Sequence, residues 1–428
     1  MKIAYIAAGA AGMYCGTCIH DNTLAAALIK KGVDVALIPT YTPLRTDETD
    51  VSIDRIFYGG ISVYLEQKVG LYRRTPQALD RLLARPALLK GLSRFSASTN
   101  ATDLGGLTVS VLAGEEGHQR KELERLITWL ASDFKPDLVH LTNSMFTGLA
   151  RRLRQALGVP VLCGLQGEDI FLEGLMEPYK SQALAGLRQR AQDSSGFTAP
   201  CQYYADFMAA YMDIPPERIH VVPLGLNLQD HGQGNGPAGE APFTVGYLAR
   251  MCPEKGFHVL VEAFRLLAER VGKERLRLAV AGYLGKGDQA YFDEQVRRLA
   301  DWGLADSFVH WGEIDRAQKI DFLNQLHVLS VPTIYAEPKG LFVLEALANG
   351  VPVVLPRHGA FPEMIERTGG GLLVDVDSPE SVAAGLEDLL ADDDKRRALG
   401  AQGKVVVHRD CDDEQTAERM LAVYGEYV

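Results

Sequence analysis

Short apolar runs alternate with stretches of helical periodicity along nearly the whole chain, the pattern of parallel strands joined by crossover helices. In the first half, KIAYIAA, VDVALIPT, TVSVLAG, DLVHLTN, VPVLCGLQ and IHVVPL are expected strands. Between them, DNTLAAALIKKG and KELERLITWLASDF place apolar residues at helical spacing; the first starts at an Asp/Asn cap and ends at Gly32. The pattern lapses at Gln229–Pro242, where QDHGQGNGPAGEAP is rich in Gly, Pro and polar residues and reads as a linker. It then restarts. FTVGYLAR, LRLAVAGYL, FVHWGEI, VLSVPT, VPVVLPR and GLLVDV are expected strands, with helices beginning near Gly256, Asp288, Arg316, Gly340 and Pro379.

These elements predict an α/β protein of two Rossmann-like, doubly wound domains, 1–228 and 243–409, facing across a cleft. The last segment, 410–428, carries Met420, Leu421, Val423, Tyr424 and Tyr427 on a helix that needs a surface to cover, and it is expected to cross back to the first domain. Residues from Tyr41 to Thr108 break the alternation and are the expected place of acceptor selection.

Composition narrows the classes. A chain of 428 residues with 47% hydrophobic content has room for two cores. Its formal net charge of -11 argues against tracking a nucleic-acid backbone or broad attraction to anionic lipid, so local cations must do any phosphate binding. No stretch approaches the roughly 18 uninterrupted apolar residues of a membrane span. MKIAYIAAGAAGMYCG reads as a buried strand entering a glycine-rich loop rather than as a secretory leader. Cys15, Cys18, Cys163, Cys201, Cys252 and Cys411 are scattered rather than clustered, as expected of a reducing cytoplasm. Nothing in the composition fixes an oligomeric state.

The most informative segment is EPKGLFVLE, Glu337–Glu345, between the run VLSVPT and a helix closed by Gly350. It sets two carboxylates across a strand–loop–helix junction. Backbone N–H groups at Gly340, Leu341 and Phe342 stand at the new helix's start, a terminus suited to an anionic or hydroxyl-rich ligand. Glu345, a turn below Leu341, is placed to accept hydrogen bonds from a ribose, and Glu337 to reach another part of the same ligand.

EPKGLFVLEALANGVPVV resembles the signature of the retaining glycosyltransferases of family 4, which have the GT-B fold. The resemblance extends to GYLARMCPEKGFHVLVEAF, where the family places an arginine and a lysine on the donor diphosphate; Arg250 and Lys255 match them. Cations at a strand end facing a helix N-terminus make a diphosphate clamp.

On the first-domain side, the loop AGAAGMYCG lets backbone approach a ligand at the end of the first strand, with an N–H of Gly12 or Gly16 presented to a donor phosphate. Gly16 matches the second glycine of the family's usual pair, and Cys15 stands in place of the first. His20 follows near the mouth of the next helix, suited to ligand contact or to packing. GLQGEDIF puts Gln166, Glu168 and Asp169 at another strand end, for sugar or acceptor hydroxyls or for helix capping. The family often has a histidine where Gln166 stands, and glutamine cannot transfer a proton near neutral pH. CGTC alone suggests redox chemistry, which the surrounding pattern does not support.

The resemblance implies transfer of a hexose from a nucleotide diphosphate sugar, UDP-linked before GDP-linked, to a hydroxyl acceptor, by front-face attack through an oxocarbenium-like transition state. Glu337, Arg250 and Lys255 would carry the chemistry, without cofactor or metal; Asp47–Asp50, DETD, are the carboxylates that come nearest to a ligand set. A nucleotide-sugar epimerase or phosphorylase of the same fold is the alternative, and a noncatalytic sugar-binding protein a more distant one.

Overall fold

The structure, a computed structural model, describes residues 1–9, 14–57, 101–234, 236–237 and 242–428, except the side chains of 101–103. Gly12 and residues 58–100 of the irregular stretch lie outside the described residues.

The chain forms two compact units: Met1–Pro200 with Tyr204–Pro223 and Ala417–Val428, and Cys201–Tyr203 with Leu224–Thr416. The first contains β1 (Lys2–Ala7), α1 (Gly16–Lys30), β2 (Asp34–Pro39), α2 (Ala101–Leu112), α3 (Arg120–Trp129), β3 (Leu138–Leu141) and α4 (Ala150–Leu157). Then come β4 (Val161–Gly164), α5 (Asp169–Glu173), α6 (Tyr179–Ala191), β5 (Gly196–Ala199), α7 (Gln202–Met212), whose first two residues fall in the second unit, and β6 (Ile219–Val221). The strands form a parallel sheet in the order β2-β1-β3-β4-β5-β6. Its order reverses between β1 and β3, which pair with Tyr5 opposite His140. The core joins Ile3 and Tyr5, Leu24 and Leu28 of α1, and Leu138 and Leu162 to Ala417, Met420 and Tyr424 from the far end of the chain.

The second unit contains β7 (Phe243–Leu248), α8 (Phe257–Val271), β8 (Leu276–Ala281), α9 (Gln289–Asp301), β9 (Phe308–Gly312), α10 (Arg316–Asn324), β10 (Val328–Ser330) and α11 (Leu341–Ala348). It continues with β11 (Val353–Pro356), α12 (Phe361–Thr368), β12 (Gly371–Val374), α13 (Pro379–Ala391), α14 (Asp393–Asp410) and the start of α15 (Asp413–Gly425). Its parallel sheet runs β12-β11-β10-β7-β8-β9, reversing between β7 and β10. Each unit is therefore Rossmann-like, with a switch point at which the connections diverge and a ligand can sit.

Local expectation fails in two places. TVSVLAG, with its β-branched residues, is not a strand: residues up to Leu112 belong to α2. Close approach decides this, because a Cβ on Gly148 would meet the Val111 carbonyl oxygen at 2.3 Å and one on Gly105 the Tyr179 ring at 2.7 Å. Tertiary packing thus overrides a modest β preference. The helix expected to start at Asp21 begins at Gly16 instead, so Asp21 is an interior, fully buried helix residue and caps nothing.

Candidate functional site

In the second unit the loops after β7 and β10 carry the expected carboxylate and cations. Tyr247 is buried in β7, and its hydroxyl donates to the Arg250 carbonyl at 3.0 Å and to the Lys255 carbonyl at 3.4 Å, tying both ends of the loop to the strand that launches it. Gly256, at φ +70°, ends that loop where a Cβ would meet the Pro332 carbonyl oxygen at 1.8 Å. Ile334 N–H donates to the Glu254 carbonyl at 3.0 Å. The two loops are thereby docked on each other.

Lys255 Nζ lies 2.5 Å from Glu337 Oε2 and 2.6 Å from the Tyr335 hydroxyl, which itself donates to Glu337 Oε2. The ammonium also stands 5.0 Å from the Tyr335 ring centre and 5.9 Å from that of Phe342. Burial alone would raise the Glu337 carboxyl, but the Lys255 charge, the hydrogen bonds and Lys339 outweigh it and hold it at about 2. Glu337 is therefore an anion at neutral pH, fit to orient hydroxyls and unfit to donate a proton. Burial and the Glu337 charge push the Tyr335 phenol well above its ordinary value, keeping it a donor. Arg250 is exposed at the loop's start.

The Glu337 loop is braced from β11. A Cβ on Gly359 would meet the Glu337 carbonyl oxygen at 2.4 Å, Ala360 N–H donates to that carbonyl at 2.8 Å, and His358 Nε2 lies 3.2 Å from Thr333 Oγ1. Gly340, at φ +68°, turns the chain into α11, with its N–H 3.4 Å from Glu337 Oε1. Leu341 is half-buried, and Phe342 is buried edge-on to Phe361. Glu345 is buried on α11, its Oε1 paired with Lys319 Nζ from α10, a partner absent from the sequence argument.

In the first unit, Gly16 opens α1 and His20 is half-buried on it. Gln166, expected at sugar or acceptor hydroxyls, has its amide nitrogen 2.9 Å from Asp21 Oδ1 and 2.8 Å from the Thr142 carbonyl, donating to both. Asp21 also accepts from the Tyr5 hydroxyl at 2.8 Å and from Thr142 Oγ1 at 2.5 Å, so uncharged donors from β1 and the loops after β3 and β4 meet on a buried carboxylate at the switch point. Glu168 precedes α5 without capping it through its side chain: its two oxygens accept instead from Ser144 N–H at 2.8 Å and Gln166 N–H at 2.7 Å, fixing the loops after β3 and β4. Burial raises its carboxyl against those bonds. Asp169 accepts from the Tyr204 hydroxyl at 2.6 Å, which in turn accepts from Gly167 N–H at 2.9 Å. Burial also raises the Asp169 carboxyl.

Tyr247, Tyr335, Lys319, Asp21 and Thr142 did not emerge from the sequence as site residues. Two carried a legible signal: Lys319 interrupts an apolar helical stripe, and Asp21 precedes an alanine-rich one. Among the described residues no group of three or more His, Cys, Asp or Glu is arranged to hold a metal ion, and no helix is long and apolar enough to cross a membrane.

Residues 22–225 match the family model described as glycosyl transferase 4-like domain, and residues 233–406 match that described as glycosyl transferases group 1. A D-inositol 3-phosphate glycosyltransferase of Segniliparus rotundus is 27% identical over 86% of this chain and 84% of its own. A GDP-mannose-dependent alpha-(1-6)-phosphatidylinositol monomannoside mannosyltransferase of Mycobacterium tuberculosis is 33% identical over 39% of this chain and 43% of its own. Among solved structures, the sucrose-phosphate synthase of Thermosynechococcus elongatus superposes with a TM-score of 0.72 at 19% identity, over 100% of this chain and 98% of its own. Anabaena HepE in complex with UDP gives 0.69 at 15% identity, over 100% of both chains.

Proposed function

This chain belongs to the family 4 glycosyltransferases, hexosyltransferases of GT-B fold, and from that premise we infer that it moves a hexose with retention from a nucleotide diphosphate sugar to a hydroxyl acceptor. The observation that carries this reading is the Lys255–Tyr335–Glu337 cluster at the switch point of the second unit, where cation and carboxylate share one buried locus. In the transfer, the bond from the anomeric carbon to the diphosphate oxygen breaks as the acceptor oxygen bonds to the same face of that carbon. The acceptor's proton passes to the departing phosphate oxygen, so no enzyme nucleophile is consumed.

Arg250, Lys255 and the N-terminus of α11 stabilise charge growing on the diphosphate, a type of contribution worth several kcal/mol in general. Glu337, held anionic, orients donor-sugar hydroxyls, and Glu345 accepts from the ribose. Gly12 and Gly16 are assigned to donor phosphate, and His20 and Asp169 to sugar or acceptor. The reading requires no resident metal. UDP is the first donor nucleotide to try and GDP the second, the latter supported by the mannosyltransferase relative. The relative with the longer match makes inositol phosphate the first acceptor to try.

The test is release of nucleoside diphosphate from UDP-, GDP-, ADP- and TDP-sugars, with and without inositol 3-phosphate and with and without EDTA, followed by NMR of the product anomer. Acceptor-dependent release from one donor, persisting in EDTA, lost in Glu337→Ala and giving the donor's own anomeric configuration, is expected. An inverted product overturns retention, and loss of activity in EDTA overturns metal independence. Donor consumption without any acceptor, or dependence on inorganic phosphate, redirects the reading to an epimerase or a phosphorylase.

A further inference from the structure

Lys319 is a lysine where α10 should be apolar: it shares a buried face with Phe322 and Leu323, at the helical spacing that brings side chains together. The register is fixed by a reciprocal cap, in which Asp315 Oδ1 accepts from Gln318 N–H at 2.9 Å and Gln318 Oε1 accepts from Asp315 N–H at 3.1 Å. Its ammonium reaches Glu345 Oε1, with the two side chains only 9% and 7% exposed. The other oxygen, Oε2, carries no hydrogen bond among the described residues. The backbone beneath Glu345 is held too, because Asn349 Nδ2 donates to the Glu345 carbonyl at 2.8 Å while Asn349 Oδ1 accepts from Gly232 N–H at 2.9 Å.

A buried ion pair is weak evidence of stabilisation, since an apolar pair of similar volume often serves as well or better. This pair also occupies only half of the carboxylate. We propose that Lys319 is a positioning residue for the nucleotide: by taking Oε1 it fixes the plane of the Glu345 carboxylate and commits Oε2 to the ribose hydroxyls. The proposal rests on the reading of Glu345 as the ribose ligand. Lys319 itself touches no reacting atom. Its effect falls on affinity for the ribose, while contacts to base and diphosphate are left as they are.

The test compares binding of UDP with 2′,3′-dideoxy-UDP by calorimetry, or the guanine pair if the donor panel selects GDP, in the native protein and in Lys319→Met. The native protein is expected to prefer the ribose form by about ten-fold or more, as a site built for hydroxyls does against an analogue lacking them. In Lys319→Met that preference is expected to fall to within about two-fold, with dideoxy binding unchanged, so that KM for the donor rises while kcat holds. A variant that keeps the native preference overturns the proposal and leaves the ribose reading intact; so does one that weakens both nucleotides equally, which marks a structural role. Absence of any preference in the native protein instead removes the ribose reading and the proposal together. Should Lys319→Met fail to fold, Lys319→Gln, which keeps an N–H donor without the charge, is judged by the same comparison.

Discussion

Tyr335 shows how much one hydroxyl can organise. It donates to Glu337 and receives Lys255, so Tyr335→Phe leaves both charges facing each other without their common pivot. We expect kcat/KM to fall about ten-fold with stability lowered by about 1 kcal/mol, the usual scale for one lost hydrogen bond; steady-state kinetics and urea unfolding check the two together. Glu337 also gives a pH signature. Its folded value of about 2 lies below the ordinary 4.5, so the stability it contributes is fully present above 4.5 and is lost as pH falls from there to about 2. Urea midpoints measured across that window should fall less steeply in Lys255→Met/Glu337→Gln than in the native protein. The carboxylate pair of EPKGLFVLE was legible because its spacing straddles a strand–loop–helix junction. Lys319 and Asp21 were harder to read, since their partners lie 26 and 121 residues away, at Glu345 and Thr142, and only folding brings them together.

At the level of elements, the strands buried on both faces announce themselves: β1 after its first residue, β7 and β11 are buried throughout and mostly apolar. The short strand β5, GFTA, has too little apolar length to stand out, and α2 was misread because its β-branched residues pack where glycines let backbone come close. Those close approaches set the cost of change. Gly256→Ala would place a Cβ 1.8 Å from the Pro332 carbonyl oxygen at φ +70°, so the loop bearing Arg250 and Lys255 must shift off the loop bearing Glu337. A loss of about 1–3 kcal/mol in unfolding free energy and a larger proportional loss in kcat/KM are expected, read from chemical denaturation and kinetics on one preparation. In the first unit, β3 and α15 meet through the Tyr424 hydroxyl and His140 Nδ1 at 3.0 Å, while the His140 ring stacks on Tyr5. Burial, reinforced by the charge of His20, holds His140 at about 3, well below its ordinary 6.5. Because the unfolded chain takes up that proton first, stability is lost as pH falls from 6.5 towards 3; His140→Gln should flatten the thermal midpoint over that range.

Across the whole molecule, the two doubly wound sheets followed from the alternation of runs and helices, but which residues complete each unit did not. Ala417–Val428 belong to the first unit, where Ala417, Met420, Val423 and Tyr424 join its core and Tyr427 reaches His220 at 2.9 Å. Ending the chain after Thr416 should therefore destabilise the first unit and spare the second. Calorimetry is expected to show one transition moved down by several degrees or more, in keeping with the removal of several buried side chains at roughly 1.5–3 kcal/mol each. This arrangement also orders events at the ribosome. The half whose synthesis starts first cannot close its core until the whole of the other half has been made, at about 5–20 residues per second. Throughout that interval the surface later covered by Met420 and Tyr424 is open to chaperones, and a nascent chain stalled within the second unit presents it for as long as the stall lasts.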